Sequence, residues 1–168
     1  MRDIYIIGNI DKEMEKNTLS KILEFNDEDS KLTKENRKPI NIYIDSCGGV
    51  ASAAFSIVKV IEKCESPVNT YAIGDCMSAA FIIFISGKVR YVSEFSIFMR
   101  HRCSTTGVSG KAEEIKTYIN ACMDNFDNNA KRYIKKYTKL PERILNSNTE
   151  EFLTPQEAIK YKVADILI

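Results

Sequence analysis

The chain has 168 residues, enough for one domain with a sizeable core, whereas two domains would each bury too little surface. Hydrophobic residues at 44% and charged residues at 28% exclude a membrane-embedded chain and a disordered one. With 24 Lys plus Arg against 23 Asp plus Glu, no global field recruits nucleic acid or an anionic membrane. The opening MRDIYIIGNIDKE has an apolar stretch too short for a signal or membrane segment, so a cytoplasmic location is expected. Five cysteines, at 47, 64, 76, 103 and 122, are odd in number and lack C-x-x-C spacing, which points to free thiols. A single histidine excludes a multi-His metal site within one chain, and no cofactor is expected.

Ile4-Tyr5-Ile6-Ile7 before Gly8 predicts a short buried strand, and Asp11 to Phe25 carries Met14, Leu19, Ile22 and Leu23 at helical spacing. Asn26 to Lys38 is polar and predicts a surface loop or the end of that helix. Pro39 to Asp45 is β-branched and aromatic, with Ser46-Cys47-Gly48-Gly49 read as a closing turn and Ala51 to Lys63 as a helix. The same order recurs after Pro67: a strand from Val68 to Gly74, then a nearly all-apolar helix from Ser78 to Ser86. Lys88 to Val92 and Ser96 to Met99 are further strand candidates. Lys111 to Tyr137 repeats apolar residues every three or four positions and predicts one long amphipathic helix. Thr154-Pro155-Gln156-Glu157 has the form of a capping box with Pro at the first helical position. A short helix and a strand from Ala164 to Ile168 close the chain. Alternating strands and helices imply an α/β fold with a largely parallel sheet, in a single domain over 1–168.

In such sheets the functional crevice lies beyond the carboxyl ends of the strands, where both Gly48-Gly49 and Ser78 stand. A serine opening a helix is accessible, and unpaired amides there can hold a developing oxyanion. The plainer alternatives are a tight turn for the glycines and an N-cap for Ser78. A phosphate cradle would need a G-x-x-x-x-G-K-[ST] string, which is missing. His101 ends an apolar strand and is the one imidazole able to deprotonate a serine. Its neighbours Arg100 and Arg102 are expected to face solvent or a partner subunit, and the cysteines near the site to be buried and inert.

These residues together resemble the proteolytic subunit of the Clp protease family, including phage head-maturation proteases of that type. Asp45-Ser46-Cys47-Gly48-Gly49 is similar to the family's Asn-Ser-Pro-Gly-Gly segment, which implies an oxyanion-hole N–H at Gly49 and a substrate contact at Gly48. Ile73 to Ala80 is similar to its nucleophile turn, implying Ser78 as nucleophile and Ala79 as the second oxyanion N–H. Phe98-Met99-Arg100-His101 matches its Met-Ile-His segment and makes His101 the base. The family places an acid two residues before an aromatic, here Phe152, which gives Glu150; Glu151 and Asn148 are neighbours able to substitute.

The resemblance further implies a ClpP/crotonase-like fold whose long helix, about 111–137, is a protruding handle between rings. It implies a homo-oligomeric ring, commonly heptameric and often stacked, with active sites inside a chamber. Unfolded or peptide substrates would pair as strands beside the Gly107 to Gly110 stretch, with an AAA+ ATPase as a further partner. The chain begins almost at its first core strand, so it is expected to lack the segment that lines the axial entrance in Clp subunits. Two other functions stand beside peptide hydrolysis: a weakly active or inactive ring subunit supporting a partner, and a crotonase-like acyl-CoA enzyme.

Overall fold

The computed structural model describes residues 2–104 and 109–168. It begins with β1 (Asp3–Ile10), α1 (Lys12–Glu28), β2 (Ile40–Gly49), α2 (Ala51–Lys63) and β3 (Val68–Met77), followed by α3 (Ala79–Ile85). The second part holds β4 (Arg90–Val92), β5 (Ile97–Arg100), α4 (Ala112–Tyr137), α5 (Glu142–Leu145), β6 (Glu151–Leu153), α6 (Pro155–Lys160) and β7 (Ile166–Leu167). A single turn of 3-10 helix, Lys34–Asn36, interrupts the polar stretch before β2.

The sheet runs β1-β2-β3-β4-β7, all parallel, and forks at β3. Thr70 to Ala72 of β3 pair with β4, while Asp75 to Met77 pair with β5, which is joined antiparallel by β6. The fork carries β5, and with it His101, to the carboxyl end of β3, where Ser78 begins.

Alternation along the strands sorts the side chains into two faces. Ile4, Ile6, Ile42, Ile44 and Ala72 are buried in the core with the inner faces of α1, α2 and α3. Burial of a side chain as large as isoleucine contributes about 1.5–3 kcal/mol, and the core is rich in it. The opposite face carries Tyr5, Tyr43, Tyr71 and Tyr91 in register across four neighbouring strands. Their rings stack with centroids 5.4, 4.7 and 4.4 Å apart.

Caps and ion pairs close the elements. Asp11 caps α1 by accepting from Met14 N at 2.8 Å, and the capping box at Thr154 and Glu157 forms as the sequence implies. Arg90 holds Asp165 through Nε and Nη2 at 2.9 and 2.8 Å and donates to Tyr137 O at 2.7 Å, tying β4, the end of α4 and the C-terminal segment together. Glu62 on α2 accepts from Tyr133 and Tyr137 hydroxyls and Lys136 Nζ, at 2.9, 2.7 and 2.6 Å, docking the second half of α4. The first half projects: no residue of α4 before Asp127 is buried.

The structure differs from the sequence expectations at the strand ends. Ser46 to Gly49 is not a turn but the end of β2, with Ser46 paired to Cys76 and Gly48 to Asn9. β1 likewise runs past Gly8 to Ile10 and β3 past Gly74 to Met77, because each extension has a neighbour to pair with. β6 and α5 were not expected, being three and four residues long with no periodicity to read.

Candidate active site

Ser78 occupies the corner between β3 and α3 with φ 52° and ψ −116°, a backbone region that non-glycine residues rarely adopt. Such a conformation costs about 1–3 kcal/mol and persists only where the surroundings hold it. Here Ser78 N donates to Met99 O at 2.8 Å, and the all-apolar helix behind it is wholly buried. Although Ser78 stands at the N-cap position, its side chain makes no capping hydrogen bond. Its Oγ lies instead 2.6 Å from His101 Nε2, which sets aside the N-cap alternative.

Gly48 fits against this corner. A Cβ there would lie 2.8 Å from Ser78 Cβ, 2.9 Å from Met77 O and 3.1 Å from Ala79 N, and its φ of +106° also favours glycine. Gly49 abuts β1, where a Cβ would come within 2.3 Å of Ile10 O. The amides on either side of Gly49 are engaged: Gly48 N donates to Ser46 Oγ at 3.0 Å and Val50 N to Ile10 O at 2.7 Å. The structure therefore brings Gly48, Gly49, Ser78, Ala79 and His101 into one place. A cavity of about 410 Å³ opens beside them, lined by Val50, Ile82, Ile119, Met123 and Phe126 among others.

Glu150 is exposed and makes no hydrogen bond to His101 in this structure. Its relation to the histidine is one of register. Phe98, Met99 and Arg100 pair with Leu153, Phe152 and Glu151, and His101 and Glu150 are the residues one step beyond that last pair. Both residues line one shallow depression together with Asn148. Glu151 is paired with Arg100 instead, and Asn148 Oδ1 accepts from Arg102 Nη1 at 3.4 Å. The stretch from Gly107 to Gly110 falls partly outside the described residues.

Two expectations about flanking residues are corrected. Arg100 does not face solvent: it is 5% exposed and donates to Ile144 O and Ser147 O at 3.3 and 2.7 Å. Arg102 is half-exposed but turned onto Asp127, a buried acid of α4 that the sequence reading did not single out. Cys47 is exposed rather than buried, with Sγ 3.4 Å from Asp75 Oδ2. The Asp75 carboxylate beside it raises its thiol pKa. Cys76 is fully buried, and burial raises its thiol well above the ordinary value. Among the described residues no group of three or more His, Cys, Asp or Glu could hold a metal ion, and no helix is long and apolar enough to cross a membrane.

Comparison with known proteins finds relatives along most of the chain. One relative is the ATP-dependent Clp protease proteolytic subunit 2 of Borreliella burgdorferi, 35% identical over 121 residues, which cover 71% of this chain and 58% of that protein. Another is the ATP-dependent Clp protease proteolytic subunit 2 of Treponema denticola, 29% identical over 164 residues, 95% of this chain and 78% of that protein. The family model described as Clp protease matches residues 1–168, with the parallel sheet and the Ser78 corner inside the matched span, and the chain belongs to the Clp protease family.

Proposed function

We propose that this chain is a serine endopeptidase that hydrolyses unfolded or extended polypeptides through an acyl-enzyme. The observation that carries the reading is the 2.6 Å approach of Ser78 Oγ to His101 Nε2 at a strained strand-to-helix corner. With its Nδ1 protonated, the imidazole accepts the Ser78 proton at Nε2 as Oγ bonds to the substrate carbonyl carbon. The carbonyl electrons move to oxygen, where the N–H groups of Gly49 and Ala79 stabilise the charge. Ser78 N–H, already given to Met99 O, takes no part. Collapse of the intermediate breaks the C–N bond, and His101 returns its proton to the departing amine. Water then repeats the sequence on the ester and frees Ser78. Glu150, one step beyond the β5–β6 ladder as His101 is, orients the ring and stabilises its cationic form. The apolar cavity suits an apolar side chain before the scissile bond.

Family membership supports assembly into a heptameric ring of copies, working in the cytoplasm with a Clp-type AAA+ ATPase. Labelling by a fluorophosphonate tests the chemistry: modification at Ser78 in the wild type and none in Ser78→Ala is expected. Equal labelling of the two would remove the proposal. The second reading is a ring subunit of low intrinsic activity, favoured by the missing hydrogen bond between Glu150 and His101. Turnover that emerges only on mixing with a catalytically competent subunit would select it.

A further inference from the structure

α4 buries only two side chains, Asp127 and Ile134, so one of its two buried positions is given to an acid that is 6% exposed. An unpartnered carboxylate is costly there, and both oxygens do have partners. Those partners are the two residues that follow His101: Oδ2 accepts from Arg102 Nε at 2.7 Å and Oδ1 from Cys103 N at 2.7 Å. On the other side of His101, buried Arg100 is fixed to the carbonyls of Ile144 and Ser147. The histidine is thus suspended between two anchors with its ring turned to Ser78.

We infer that Asp127 is a positioning residue for the proposed peptidase reaction, clamping the backbone that leaves His101 onto the middle of α4 and so holding Nε2 at its distance from Ser78 Oγ. The inference rests on the Ser78–His101 reading above. Loss of the carboxylate would free the Cys103 amide and leave Arg102 with its long contact to Asn148 Oδ1. Ser78 would stay in place, since its own anchor is the Met99 carbonyl.

The test uses the full chain and a fluorogenic peptidyl-coumarin amide with an apolar residue before the scissile bond. Asp127→Ala should lower kcat about 100-fold with KM within about twofold, because misplaced groups cost rate rather than binding. Asp127→Asn, whose Oδ1 still accepts from Cys103 N, should fall about tenfold. A second readout is the rate at which diethylpyrocarbonate modifies His101, the single histidine of the chain, at one fixed pH. That rate should rise about fivefold in Asp127→Ala as the contact with Ser78 loosens. Unchanged kcat and unchanged modification rate, or a loss confined to KM, would overturn the inference and leave Asp127 as an anchor of α4 only. If circular dichroism shows that the Ala variant does not fold, Asp127→Asn and Arg102→Met decide by the same readouts. A wild type that neither turns over nor labels at Ser78 would defeat the peptidase reading alone. The modification rates would still judge the clamp.

Discussion

The two sides of His101 are built differently. On the Ser78 side, a buried helix, a backbone hydrogen bond to Met99 and a glycine in van der Waals contact all converge on one strained residue. On the Glu150 side, the acid is exposed and stands just outside β6, a strand of three residues, with only the ladder register to place it. A strained serine needs a core to hold it, whereas an exposed carboxylate is free to leave or approach. The serine side is therefore expected to be set by the fold of one chain. The acid side is where a neighbouring copy or a bound substrate can still act.

Mutations can sharpen this contrast or break it. Ser78→Ala should lower peptide hydrolysis about a thousandfold or more at unchanged stability, measured by kcat and thermal midpoint. Gly48→Ala comes next: the added methyl meets Ser78 and Met77 O and must accept φ of +106°. A cost of about 1–3 kcal/mol in denaturant unfolding and about 100-fold in kcat/KM is expected. Normal activity in that variant would show that the corner has slack. On the other side Glu150→Gln should cost about tenfold in kcat and Glu151→Gln less than about twofold. The reverse order would move the acid to Glu151.

The smallest effect lies away from the site. Burial would raise the Glu62 pKa, but Lys136 and the Tyr137 and Tyr133 hydroxyls outweigh it and hold the carboxyl at about 2 against an ordinary 4.5. A folded value below the unfolded one means the contribution is fully present above pH 4.5 and fades as pH falls toward 2. Thermal midpoints should drop through that window, and less steeply in Glu62→Gln.

Much of this contrast was legible in the residues. Ser78 and His101 are candidates because each follows a strand and because the chain has one histidine, and the likeness to the Clp family is what selects them. The parallel sheet followed from repeated strand-helix units. Glu150 could be placed only by likeness, since a three-residue strand carries no period and its register appears only in the fold. Asp127 escaped because an acid on an amphipathic helix reads as the wet side. Its spacing held the signal: Met123, Asp127, Ala130 and Ile134 fall on one stripe, and an acid within such a stripe asks for a buried partner.

The tyrosine ladder gives the molecule a built-in optical probe. The chain has eight tyrosines and no tryptophan, so its near-ultraviolet dichroism and emission are dominated by tyrosine. Four of those rings form a single coupled stack across β1 to β4. Separating the strands or covering that face would change the signal of half the chromophores at once. Assembly and unfolding can therefore be followed on the unlabelled protein.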